Sequence, residues 1–302
     1  MSKSAINRTF VSFDWAIKRL LRDKADFGIL EGFLSVLLNQ DIVIEEILES
    51  ETNREQQDDK QIVVDILCKT QKQELVLIEI QFRNQLDFFH RMLYGTSRIM
   101  TERLKIGETY GQVVKVYSIN LVYFDLGHGD DYVYHGKTAF RGIHKGDLLQ
   151  TSAAQQKAFQ KTDPGEIFPE YYILKVNQFD NIAKTPLDEW LYYLKNSELP
   201  KKYKAKGLSL VAEKLKVQKM DVTELNAYKK YKAKIAIDKS AMETAYIEGT
   251  LKGKQEGREE KQIETVVSCF HKGLAIELIA DIVLLSEAEV VKILRNQGLV
   301  RI

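Results

Sequence analysis

The chain is poor in cysteine. Its 302 residues include only Cys68 and Cys269, which are far apart and form no metal-ligand spacing. That excludes a cysteine-built metal site, and a reducing cytoplasm is the expected compartment. No apolar run reaches the roughly 18 residues needed to span a bilayer, so no membrane helix is expected. The opening MSKSAINRTF holds no apolar signal core, so secretion is not expected. A strong charge of one sign is also missing, the net charge being +1. What is present, 44% hydrophobic and 29% charged residues, suits a globular protein. The length allows one large domain, or one of about 200 residues with smaller appendages.

The near-zero net charge conceals an uneven distribution. Residues 200–239 hold twelve lysines against four acids. Such a patch either attracts nucleic-acid phosphates or forms a solvated helix face.

Periodicity divides the chain. FDWAIKRLLRD (13–23) and ADFGILEGFLSVLLNQ (25–40) read as helices, the second with Asp26 as a cap. IVIEEILESE has strand character, and TNREQQDDK (52–60) is a polar loop. QIVVDILCK and ELVLIEIQF are β-rich runs joined by the short turn TQKQ. LDFFHRMLYGTSRIMTERLK (86–105) reads as a long helix, with Phe89, Met92, Leu93 and Ile99 supplying its core contacts. VVKVYSINLVYF, DYVYHGKTAF and EYYILKVNQF read as three more strands. Gly127, Gly129 and the acids between the first two of these suit a hairpin turn better than a metal loop. TPLDEWLYYLKN is a helix capped by Thr185 with Pro186 in its first turn. Beyond about residue 205 strand signals stop. Gly249, Gly253 and Gly257 should weaken or kink the helical run they interrupt, at about 1 kcal/mol each. Two short amphipathic helices follow, meeting at Leu285 and Ser286.

The chemistry starts from Asp65 in the first β-rich run and Glu79 in the second. Pairing the runs antiparallel through TQKQ sets Leu67 opposite Leu77 and Asp65 opposite Glu79. Opposed residues share a face, with β-carbons about 5 Å apart. Alternation puts Gln81 on the same face as Glu79 and turns Ile78 and Ile80 into a core. Two carboxylates so close repel one another. A hard divalent cation removes that repulsion, and Mg²⁺ is typically held by one or two carboxylates plus waters and phosphates. Such an ion can ionise a water and neutralise charge on a phosphodiester. The bland alternative is a pair of edge-strand acids facing water.

An acid on one core strand with E-x-Q on the next resembles the PD-(D/E)xK nuclease superfamily, whose signature is an acid followed by E-x-K. FDWAIKRLL, ILEGFLSVLL, VVDILC, LVLIEIQ, the R-x-x-Y-G of Arg91–Gly95 and IEGTLKGKQEGREE resemble, within it, the Rpn family of recombination-promoting nucleases and transposases. The resemblance covers roughly residues 10–300. It implies an α/β, restriction-endonuclease-like mixed central sheet flanked by helices in α-β-β-β-α-β order. It also implies a Mg²⁺- or Mn²⁺-dependent DNA endonuclease linked to recombination or mobile DNA, with Asp65 and Glu79 as metal ligands. Gln81 stands where the superfamily has lysine. It can orient a water but cannot supply a cation, for which Arg83 is the nearest candidate if the strand persists. An added acid from the first core helix would be Glu31, with Asp14 the alternative. A catalytically silent DNA-binding or scaffolding protein is the rival reading.

Arg91, Tyr94 and Arg98 share one helix side and could contact DNA phosphates, and His90 beside them reads as an ordinary surface residue. The expected domains are residues 10–200, nuclease-like, and 201–302, a mostly helical tail. The tail reads as a homo-oligomerisation arm or a DNA-binding appendage. IELIADIVLLSEAEVVKIL has a helix-turn-helix rhythm, but Glu287 and Glu289 open its second helix, where base contacts would be made.

Overall fold

The computed structural model describes residues 9–16, 27–48, 65–102 and 109–300. The chain forms two compact units, Met1–Tyr231 and Lys232–Ile302. Most of the first expected helix, the Asp26 cap and the 52–60 loop lie outside the described residues.

The first unit is built on a six-stranded mixed sheet. In chain order the described elements are α1 (Phe13–Trp15), α2 (Gly28–Leu38), β1 (Ile44–Leu48), β2 (Ile66–Thr70), β3 (Leu75–Gln81), α3 (Phe88–Glu102), β4 (Val116–Val122), β5 (Val133–Gly136), α4 (Ala153–Phe159), β6 (Glu170–Lys175), α5 (Pro186–Asn196) and α6 (Leu208–Lys214). The expected α-β-β-β-α-β order is present. Strand order in space is β1-β2-β3-β4-β6-β5. β1, β2 and β3 pair antiparallel, β3–β4 and β4–β6 are parallel, and β5 closes the edge antiparallel to β6. The expected hairpin across Gly127 and Gly129 therefore does not form, because β6 inserts between β4 and β5. Local turn chemistry cannot report a pairing with a strand some forty residues further on.

The β2–β3 register is the expected one, with Leu67 opposite Leu77 and Ile66 opposite Ile78. Gln73 adopts φ 63° and closes the turn, its N–H donating to Thr70 O at 2.8 Å. Period-two alternation then splits β3. Val76, Ile78 and Ile80 enter the main core with residues of α1, α2 and α5, among them Phe13, Phe33 and Trp190. Those three rings meet edge to face at 5.2–5.9 Å. Helix α2 reaches this core because Gly32 lets it touch the chain at Gly207. A Cβ at residue 32 would lie 2.5 Å from Gly207 Cα. Helix α5 starts as expected, with Thr185 capping and Asp188 completing the capping box.

Leu75 and Leu77 point to the opposite face, where they join Leu67, Val116 and Ile99 of α3. The buried stripe of α3 is Phe88, Gly95, Thr96 and Ile99. Phe89 and Leu93, expected in the core, are half or more exposed. Hydrophobicity alone did not identify the covered side, because Gly95 and Thr96 are buried there alongside Phe88 and Ile99.

Residues 205–231 also belong to the first unit. Ala205, Leu208, Val211, Leu215 and Tyr228 are buried in its core. The next helix, α7 (Val222–His271), is continuous through Gly249, Gly253 and Gly257. In the second unit, Val266 of α7 packs with Ile279, Ala280 and Val283 of α8 (Ile276–Val283) and with Val290 and Leu294 of α9 (Glu287–Asn296). Ser286 caps α9 in a capping box with Glu289. Among the described residues no helix is long and apolar enough to cross a membrane.

Candidate functional site

Glu79 lies third from the end of β3, on the face that α3 covers, and is 3% exposed. It is not an edge carboxylate facing water. Its Oε2 is buried with no hydrogen-bond partner among the described residues. The nearest cation is Arg91 of α3, whose Nε lies 3.9 Å away. Burial pushes the Glu79 carboxyl above its ordinary value. The Arg91 charge opposes that shift, the Asp65 charge adds to it, and hydrogen bonding from Gln81 opposes it. Asp65, Glu79 and Gln81 thus form one interacting cluster.

Asp65 is half-buried and sits one residue before β2. Its Oδ2 accepts from Ile80 N–H at 2.6 Å. The side chain takes the place of the carbonyl that a longer β2 would have offered to the ladder. This anchors Asp65 against the end of β3 and beside Glu79.

The structure separates the two candidates for an added acid. Glu31 is on α2, which packs in the main core, and its Oε1 accepts from Ile44 N–H at 2.8 Å. It also faces Cys68, whose thiol is pushed up to about 12, by burial first and then by the Glu31 charge. Cys68 belongs to the sheet face opposite Glu79, so Glu31 is committed to β1 and not brought to the pair. Asp14, 4% exposed, instead accepts from the Tyr231 hydroxyl at 2.6 Å. Burial and then Asp14 push the Tyr231 phenol well up, and Asp65 adds to that shift. Tyr231 therefore stands in the fields of both acids.

The basic candidates divide as well. β3 ends at Gln81, so the parity linking Arg83 to Gln81 lapses, and Arg83 is exposed in a bend beyond it. Arg91 faces the site and donates from Nη1 to Gln85 Oε1 at 3.2 Å. Arg98 is spent on Glu102, Nε to Oε1 at 2.5 Å, and is also hydrogen-bonded with Tyr94. Tyr94 and His90 are exposed.

Sequence reasoning missed Asn120. It is paired in register with Glu79 on β4 and is 1% exposed. Its Nδ2 donates to Ser118 O, Ser118 Oγ and Tyr172 O at 3.1–3.3 Å, while its Oδ1 is buried without a partner. The available signal was an amide in the middle of the otherwise buried strand VYSINLV.

Two orphaned oxygens on adjacent strands, beside a second carboxylate, form a hard donor set that fits a small divalent cation. Among the described residues no group of three His, Cys, Asp or Glu side chains is gathered for a metal. One or two carboxylates with waters suffice for Mg²⁺.

Residues 11–153 match the family described as PD-(D/E)XK nuclease family transposase. That span includes β1 to β5, the carboxylate pair and α3. Searches of curated proteins and of solved structures found no match. Through residues 11–153, then, the chain is similar to the PD-(D/E)XK nuclease family transposases.

Proposed function

We propose that the chain is a divalent-metal-dependent DNA endonuclease acting in recombination or on mobile DNA. The observation that carries this reading is Glu79, a buried carboxylate with an orphaned oxygen beside Asp65. Asp65 and Glu79 would hold Mg²⁺ or Mn²⁺, with Asn120 Oδ1 facing the same locus. When bound there, such an ion would supply an activated water and charge neutralisation at the phosphodiester. Gln81 orients the nucleophilic water by hydrogen bonding. Arg91 offsets the Glu79 charge and can turn to a DNA phosphate, Arg83 and Tyr94 are outer contacts, and Arg98 stays with Glu102. Of the added acids, Asp14 suits the site better than Glu31.

We assign the nuclease function to residues 10–200 and homo-oligomerisation to the helical tail. Tyr246, Ile247 and Leu251 lie exposed on α7, and such apolar surface favours a protein partner. Light scattering on the full chain tests this, and a monomer at micromolar concentration defeats it. A reducing cytoplasm suits the free cysteines.

The experiment is nicking of supercoiled plasmid with Mg²⁺ or Mn²⁺, comparing the parent with Asp65→Ala and Glu79→Ala. Cleavage abolished by both substitutions supports the site, and cleavage that survives both defeats it. Gln81 in the lysine position favours a second reading, a silent DNA-binding protein. Metal-independent DNA binding with no nicking by the parent would select it.

A further inference from the structure

Two lysines are buried in the sheet of the first unit. Lys115, 7% exposed, is neutralised by Glu170 Oε1 at 2.9 Å and donates to Phe168 O at 2.7 Å. Lys175, 2% exposed, has no ion-pair partner among the described residues. Its ammonium lies 5.7 Å from the centroid of the Tyr134 ring. Burying an ammonium without a carboxylate is costly. A tyrosine face offsets only part of that cost.

Lys175 lines a cavity of about 350 Å³ with Phe89 and Met92 of α3, Tyr134 of β5, and Tyr171 and Ile173 of β6. The register ties this cavity to the carboxylate site. Glu79 is opposite Asn120, which is opposite Ile173, and Gln81 is opposite Val122, which is opposite Lys175. Neighbouring strands are about 4.8 Å apart, so the cavity floor begins about 10 Å across the same face from β3. Phe89, left half-exposed by the packing of α3, stands in its wall. A cation among aromatic walls matches an anionic aromatic ligand. The volume lies at the lower end of the range for small-molecule sites, about 300–1,000 Å³, which suits one nucleotide.

We propose that this cavity holds one nucleotide of the DNA strand engaged at the carboxylate pair, with its phosphate on Lys175 and its base against Phe89 and Tyr134. The identity of the ligand rests on the nuclease reading, but the pocket can be tested without cleavage. The site then reads a strand whose base has left the duplex stack, because a paired base cannot enter a walled cavity. Single-stranded or frayed DNA is therefore preferred to intact duplex.

The test is fluorescence anisotropy with a labelled single-stranded oligodeoxynucleotide of about 12 nucleotides. The same sequence as blunt duplex and a free deoxynucleoside 5′-monophosphate serve as competitors. Lys175→Met keeps the side-chain volume, and Phe89→Ala alters a half-exposed position, so both variants should fold, with melting checked. Each should weaken single-strand binding about tenfold. Lys175→Met should also reduce the slope of log affinity against log salt by about 0.7, the loss of one phosphate contact. Unchanged affinity and slope in both folded variants overturn the proposal. Equal binding of duplex, or binding of the free monophosphate but not the strand, overturns the strand assignment. Failure of the nuclease reading would appear separately, as absence of nicking by the parent while Lys175-dependent binding persists.

Discussion

Glu79 and Glu189 are both buried glutamates in the first unit, at 3% and 8% exposure, yet their surroundings differ in kind. Glu189 lies in α5 beside the main core, and its Oε2 accepts from the N–H groups of Lys204 and Ala205 at 2.9 and 2.7 Å. It holds the chain entering α6 against α5. Glu79 has an orphaned oxygen and an arginine at 3.9 Å. Lys115 and Lys175 repeat the contrast with the opposite charge. A buried charge that the fold satisfies is a structural fastener. One that it leaves unsatisfied fits a role for something outside the chain.

The comparison is broken most directly by exchanging the consequences. Glu189→Ala should cost about 3 kcal/mol, since it strands one buried and one part-buried N–H group, measured as a shifted guanidinium midpoint. Glu79→Gln should cost nothing, or stabilise the metal-free protein by about 1–2 kcal/mol, while plasmid nicking falls at least about a hundredfold. A Glu79 variant that unfolds as readily as the Glu189 variant would erase the distinction.

Asp188 sharpens the fastener side. Burial alone would raise its carboxyl, but hydrogen bonds from the Tyr132 hydroxyl and from the Thr185 and Lys184 N–H groups outweigh that and hold it below its ordinary value. Its contribution to stability is complete above the unfolded aspartate value, about 3.9, and is lost as pH falls through the lower folded value. Asp188→Asn should be less stable than the parent at neutral pH, and the gap should narrow below about pH 4. A gap independent of pH in acid denaturation would refute this account.

Arg91 and Arg98 give the smallest expected effects. Arg91→Ala removes the cation facing Glu79 and should lower nicking about tenfold. Arg98 is committed to Glu102, so Arg98→Ala should leave nicking at the parent rate. Equal losses in both would mean that the helix presents a general phosphate-binding row.

Much of the carboxylate site was legible before the fold. A two-residue period and a short turn suffice to align Leu67 with Leu77 and to put Gln81 beside Glu79. The choice between Glu31 and Asp14 was not legible, because it depends on which acid has already been claimed by backbone N–H groups. Nor was Asn120, which reads as an anomaly within one strand until β4 is laid against β3. Phe89 and Leu93 were assigned to the core because residue type does not say which helix side is covered.

The sequence by itself determined α2, α3, α5, α8 and α9, the strands, the Asp65–Glu79 hairpin and the capped start at Thr185. Each of these rests on interactions between residues near one another in the chain. Only the tertiary structure decided that β6 lies between β4 and β5. It alone set Lys175 and Tyr134 around a cavity on the Glu79 face, and left two oxygens without partners. Those outcomes depend on pairing between distant segments and on which polar groups remain unpaired once every strand has found its neighbour.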